Sequence, residues 1–302
     1  MTFAPLLLAA GLTFAAQPLP IADVHFHVMP WMDVADLQKH MDAGGIEWAG
    51  GAGSVGGPAK GLEAAKSLGA RYVRATGQGQ WLSLKKQGGT PALEDASSRA
   101  WASRLASVEE DLRDNDARVI GEIHVNARTS AANAVVDFKI RADAPTLMAL
   151  LDLAAKYKRP LNIHAQWDND TAKQVAALAD HNKNARLILS HCGVFASSGQ
   201  MRAFLEAHAN VDCDLSFRSP PQVRQARLAE RAVFTANHLD DDWQKLIEDH
   251  PDRFVVGVDD TRDWAEYDEI VAHIRGGLLA NLTPAAAEKV AHGNAEAWFG
   301  LK

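Results

Sequence analysis

Eight times along this chain a short apolar run returns, separated from the next by enough residues for a helix or a long loop. Runs of this kind bounded by breakers read as buried strands. Strands that alternate with helical spacing read as βα units carrying a parallel sheet. The runs fall at 23–30, 46–49, 70–75, 117–125, 161–166, 186–191, 211–216 and 253–260. Helical spacing covers 34–43, 62–68, 96–112 and 145–158, a region centred on 222–248, and 263–276 and 284–298. Eight units predict an α/β fold, a (β/α)8 TIM barrel, distorted, with a short N-terminal extension. A three-layer doubly wound sheet is the runner-up. The length of 302 residues suits one such domain, taken as 21–302. Two stretches break the pattern: 76–95 wanders through Trp81 to a Gly88-Gly89 turn, and 126–144 is an excursion whose segment 135–140 reads as an extra strand.

The formal net charge is -7 with acidic and basic residues interspersed, which argues against a nucleic-acid or anionic-membrane partner. No internal stretch reaches the roughly 20 apolar residues that span a bilayer. Residues 1–16 carry an uncharged apolar run, Leu6 to Ala16, followed by Gln17-Pro18. This reads as a signal peptide, giving a periplasmic or secreted protein, although no Lys or Arg precedes the run. An N-terminal helix on a cytoplasmic protein is the alternative. Cys192 and Cys213 read as buried free thiols, with pairing open to them in an oxidising compartment.

The chemistry begins at His25 and His27. Alternate residues of a strand share a face, so the two imidazoles can grip one ion. Alone, the pair is as well explained by two polar residues on an open strand face. Other strands, however, also carry ligand-type residues near the ends where a barrel places its site: Glu122, His164, His191 and Asp259. A metal site explains all of them together. Gly51-Ala52-Gly53-Ser54-Val55-Gly56 matches a dinucleotide fingerprint literally. No acidic-ended second strand follows at the right distance, so we read it as a glycine-rich rim loop.

Asp23-x-His25-x-His27-x-x-Pro30 resembles the opening signature of the amidohydrolase superfamily, and most of all its amidohydrolase-related branch (amidohydrolase 2) of metal-dependent TIM-barrel hydrolases and decarboxylases. His164, His191 in Ser190-His191-Cys192-Gly193, and Gly257-Val258-Asp259 resemble the histidines of its fifth and sixth strands and the aspartate of its eighth. His292-Gly293-Asn294-Ala295 and Trp298-Phe299-Gly300-Leu301 resemble its C-terminal helix. Gly121-Glu122 resembles the fourth-strand glutamate of the TatD-like branch, which makes two ions bridged by Glu122 an option. Were 135–140 the true fourth strand, Lys139 would compete for that position. The resemblance implies a metal set of His25, His27, Glu122, His164, His191 and Asp259. It would hold one or two divalent ions, zinc first, with manganese or iron as alternatives.

On this reading Asp259 serves as base and acid, and His191 either binds an ion or polarises the substrate carbonyl. The reaction is hydrolysis of an ester, lactone or amide bond by a metal-activated water. Non-oxidative decarboxylation of a carboxylated substrate is the alternative, and a non-catalytic binding barrel the second. Trp31, Trp167 and Arg218 are candidate substrate contacts on the loops, Arg218 as a clamp for a substrate carboxylate. Met32 and Asp168 lie beside the first two of these. His124 reads as a hydrogen-bonding support or barrel filler, and Asp260 as support for Asp259. The partner is a small molecule, and a homo-oligomer stays open.

Overall fold

The computed structural model describes residues 19–127, 137–225 and 232–302. The leader expected at 1–16, and residues 135 and 136 of the segment 135–140, fall outside these; the described remainder, 137–140, holds no more than a one-residue bridge. Strands pair in parallel and in chain order. One sheet runs β1 (Ile21–Phe26), β2 (Ile46–Gly51), β3 (Tyr72–Val73). The other runs β4 (Ala75–Gly77), β5 (Val119–Asn126), β6 (Leu161–Ala165), β7 (Leu187–Leu189), β8 (Val211–Asp214), β9 (Phe254–Val255). Only Arg74 separates β3 from β4, which are two pieces of one predicted strand. The opposite seam is joined by the parallel bridges Asp23–Val256 and Phe26–Asp259. This is a distorted (β/α)8 TIM barrel. A doubly wound sheet would reverse its strand order at a switch point, and this one does not.

Among the described residues Lys139 makes an isolated antiparallel bridge to Asn126, and β5, which carries Glu122, comes fourth in the barrel order. The helices are α1 (Val34–Gly44), α2 (Pro58–Leu68), α3 (Gln78–Ala92), α4 (Arg99–Asp114), α5 (Pro145–Tyr157), α6 (Asn169–His181), α7 (Ser198–Ala207), α8 (Pro220–Gln225), α9 (Asp241–Asp249), α10 (Trp264–His273), α11 (Pro284–Glu288) and α12 (Asn294–Phe299). Several starts are set locally. Asp33, Ser98, Asp168 and Ser197 accept hydrogen bonds from backbone amides of the first turns of α1, α4, α6 and α7, worth about 1 kcal/mol apiece. Helix α3 corrects the reading of 76–95 as irregular. Gly88, Gly89 and Pro91 hide its period, and two helical stretches meet at Gly89 (φ 71°). The region 222–248 is likewise not one helix: among the described residues it holds the end of α8 and most of α9. No helix among the described residues is long and apolar enough to cross a membrane.

Two apolar bodies hold the barrel. A shell between strands and helices includes Phe26, Leu37, Met41, Leu147, Leu178 and Ile270. A second cluster takes Ala22, Val24, Trp48, Val73, Val119, Ile188 and Val255 from six strands, and Trp298 and Phe299 of α12 pack on it. It lies at the N-terminal ends of the strands, where Arg118 and Arg159 donate to the carbonyls of Gly300 and Phe299. Each fully buried aliphatic or aromatic side chain contributes about 1.5–3 kcal/mol. These bodies offset the cost of the layer above, which is buried and polar. Two strand pairs shift register just where that layer starts, β1–β2 between Asp23 and Phe26 and β5–β6 between Ile120 and Ile123. Such irregularities re-aim side chains beside a site.

Candidate metal centre

His25 and His27 leave the end of β1 beside the seam with the segment after β9. The Asp259 amide donates to the His25 carbonyl at 2.6 Å, which sets its carboxylate against both rings. Asp259 Oδ1 lies 3.7 Å from His25 Nε2 and 3.5 Å from His27 Nε2, and Oδ2 lies 3.6 Å from His191 Nε2. The approach demands Gly257, because a Cβ there would sit 2.5 Å from His25 Cβ.

Glu122 faces this set from β5. Its Oε1 is 2.9 Å from His164 Nδ1, 3.3 Å from His191 Nε2 and 3.7 Å from His25 Nε2. Its Oε2 is 3.5 Å from both His27 Nε2 and His124 Nε2. One carboxylate thus stands between two ligand-type clusters, His25/His27/Asp259 and, with itself, His164/His191. The preceding Gly121 is forced as well: at φ 156° a Cβ would lie 2.8 Å from Asn162 Cβ.

Asp214, the last residue of β8, sets the outward nitrogens. Its Oδ2 accepts from His25 Nδ1 at 2.9 Å, and its Oδ1 accepts from the His191 amide at 3.1 Å and from the Ser216 hydroxyl. The Ser216 oxygen is left to accept from His191 Nδ1 at 2.8 Å. Both imidazoles therefore hold a proton on Nδ1 and turn Nε2 inward, the nitrogen whose lone pair an ion would take. His191 (φ 58°) and Asp259 (φ 72°) sit in left-handed backbone, on the order of 1–3 kcal/mol each, which the surrounding bonds sustain.

Burial opposes the charge on Glu122, yet the His124, His25 and His164 rings hold it well below the ordinary carboxylate range. Burial, with Asp260 and Glu122 close by, pushes Asp259 well above that range. Burial also carries His191 down to about 4. His25 resists burial because Asp214, Glu122 and Asp259 surround it, and its value stands well above the usual imidazole.

The donor set fits a divalent ion. His25 Nε2 is buried and has no hydrogen-bond partner, although it points between two carboxylates. Donor separations of 3.3–3.7 Å recur across the cluster. Ligands held at about 2.0–2.1 Å around a tetrahedral zinc stand roughly 3.3–3.5 Å apart. Imidazoles with carboxylates suit zinc, and also manganese or iron.

The family model for Amidohydrolase matches residues 22–301. The chain belongs to the amidohydrolase family. Among solved structures, a TIM-barrel protein from Bordetella bronchiseptica resembles this amidohydrolase with a TM-score of 0.60 at 14% identity, over 94% of this chain and 99% of that one. An amidohydrolase from Burkholderia multivorans with bound zinc gives 0.51 at 16%, over 93% and 100%. A 2,6-dihydroxybenzoate decarboxylase in complex with 2,6-dihydroxybenzoate gives 0.50 at 12%, over 94% and 99%. At these identities the likeness shows the shared barrel. Comparison with curated proteins finds no match.

The amidohydrolase brings all six sequence-predicted ligands together. Lys139 stands apart, with its Nζ 2.7 Å from Asp168. Arg218 is only 3% exposed. Its Nε donates to the His191 carbonyl at 2.8 Å and its Nη2 to that of Gly193 at 3.2 Å, so it braces the turn that carries His191. Trp31 is 37% exposed at the rim, where its indole donates to the Thr261 carbonyl and meets Trp264 edge-on. Trp167 packs edge-on against Phe204 of α7. The glycine-rich loop runs along the segment after His27, with the Gly56 amide donating to the Val28 carbonyl. Cys192 and Cys213 are free and buried. The sequence reading missed Asp214 and Ser216; the position of Asp214 at the end of a barrel strand was the available signal.

Proposed function

We infer that this amidohydrolase is a metal-dependent hydrolase of ester, lactone or amide bonds in a small substrate. The observation that carries the reading is Glu122, an ionised carboxylate placed between two imidazole clusters. His25, His27 and Asp259, with Glu122, would hold an ion, and His164 and His191 supply donors on its other side. A divalent ion in such a set lowers the pKa of a coordinated water from about 15.7 to about 7 and polarises a substrate carbonyl.

The chain's own groups do the rest. Asp214 and Ser216 keep the Nε2 lone pairs of His25 and His191 turned inward. That geometry favours His191 as a ligand over a hydrogen-bond donor to a carbonyl. Asp259, beside this set, would act as its carboxylate, taking the proton of the attacking water and returning it to the leaving group. Arg218 fixes the turn that carries His191, and its burial separates it from the carboxylate-clamp role. Decarboxylation stays as a second reading because a neighbouring barrel is a decarboxylase and the same donors would serve.

The test compares chelator-treated and zinc-reloaded protein on lactones, aryl esters, amides and hydroxybenzoates. Hydrolysis that returns with zinc supports the reading. Release of carbon dioxide without hydrolysis supports the decarboxylase instead. Bound metal without turnover points to a binding barrel.

A further inference from the structure

Arginine stands immediately before a barrel strand at Arg71, Arg118, Arg186 and Arg253, and one residue further back at Arg159, ahead of Pro160 and β6. These cations lie at the N-terminal ends of the strands, away from the metal centre. Four of the five are matched: Arg71 by Asp42 at 2.8 Å, Arg118 by Asp116 at 2.9 Å, and Arg186 and Arg253 together by Asp212. Arg159 is the exception. Its Nη1 donates to the Phe299 carbonyl at 2.9 Å, and among the described residues it has no carboxylate partner. Burial and the Arg118 guanidinium pull its pKa below the usual arginine value, and Asp116 offsets only part of this. Arginine stays charged all the same, so this half-buried position holds an unmatched cation.

Arg159 borders a cleft of about 170 Å³, whose walls also include Lys158, Pro160, Asn184, Arg186 and Trp298. Lys158 is exposed and, among the described residues, likewise has no carboxylate partner. Arg186 Cζ lies 4.4 Å from the centre of the Trp298 ring, and Asp212 holds the same guanidinium, so that wall is fixed. In a chain of net charge -7, no acidic residue among the described ones lines this cleft.

We propose that the cleft binds a phosphate group, free or carried on a small molecule, between Lys158 and Arg159. Two unmatched cations suit a group that carries about -1.5 to -2 at neutral pH, whereas a carboxylate would answer only one. Arg159 spends Nη1 on Phe299 and keeps its Nε–Nη2 edge, which can take two phosphate oxygens side by side. Asn184 adds an amide donor. The volume is below the roughly 300 Å³ where drug-sized sites begin, so it suits phosphate with a small group attached.

Inorganic phosphate and, separately, glycerol phosphate are titrated by calorimetry into the full chain, zinc-loaded and chelator-treated, at constant ionic strength. Both forms of the protein bind phosphate, because the cleft is remote from the metal centre. Arg159→Gln and Lys158→Gln each bind it about tenfold or more weakly, the loss of one charged hydrogen bond. Lys158 holds no other side chain in place, so its variant decides if Arg159→Gln fails to fold. Tighter binding of glycerol phosphate supports the site with an organic phosphate as its ligand; tighter binding of phosphate supports it with the free ion. A wild type that binds neither, binding unchanged in Lys158→Gln, or binding that vanishes with the metal overturns the proposal.

Discussion

Replacing Asp214 by Asn tests how the centre is oriented without touching an ion. Asn has the same shape but one donor where Asp has an acceptor. On one side, Oδ1 receives the His191 amide, the Ser216 amide and the Ser216 hydroxyl. On the other, Oδ2 receives His25 Nδ1 at 2.9 Å and the Asn162 amide at 3.3 Å. The single amide oxygen will serve the side with three donors, so the amide nitrogen faces His25. His25 then relieves a donor–donor clash by moving its proton to Nε2, the nitrogen that points into the centre. Binding metal requires reversing that shift and burying unpaired donors, at about 1–3 kcal/mol. At about 1.4 kcal/mol per tenfold, this is roughly 5–140-fold in affinity. Competition of apo wild type and Asp214→Asn against a chromophoric chelator for zinc measures it, with circular dichroism to confirm folding. A folded variant whose zinc affinity matches the wild type would refute the orienting role.

Three further outcomes follow from the structure. Gly257→Ala puts a methyl group 2.5 Å from His25 Cβ, so it should cost about 1–3 kcal/mol in a denaturant melt and weaken zinc uptake; unchanged stability would contradict the close approach. Asp168→Ala removes the cap of α6 and should cost about 1 kcal/mol at neutral pH. Against a burial penalty, Lys139 and Thr171 lower the Asp168 carboxyl from 3.8 to about 2. Its contribution is therefore complete above 3.8 and fades as pH falls through about 2; a gap between the two proteins that stays constant across that range would contradict the assignment. We also propose residues 1–16 as an export signal: the mature chain, weighed by mass spectrometry after expression in a bacterial host, should begin at Ala16 or Gln17, and an intact Met1 would count against it.

The barrel could be read from sequence because its evidence is periodic. Apolar runs at helix-length intervals survive even where β3 and β4 break at Arg74. The ligand types were legible too, since His25 and His27 share a strand face and Glu122, His164 and Asp259 sit near strand ends. What supports them was not. Asp212 and Asp214 are two residues apart on β8, yet Asp212 is held by Arg186 and Arg253 while Asp214 orients His25 and His191. Pattern alone does not give depth along a strand. His191 was assigned to the sixth strand, but β7 ends at Leu189 and a turn in left-handed backbone carries the histidine. Arg218 suggested a substrate clamp because a loop arginine after a barrel strand is usually solvated. Three carbonyls opened by that same turn draw its guanidinium inward. Helix α3 stayed hidden because glycine and proline erase the helical signal while tertiary packing of Trp81 and Leu84 restores the helix.

Anomalous diffraction at the zinc edge, from crystals of the reloaded protein, tests the metal centre most directly. The account predicts a peak bounded by His25 Nε2, His27 Nε2, Asp259 and Glu122. A folded protein with no peak there, or with zinc bound only away from these side chains, would contradict it.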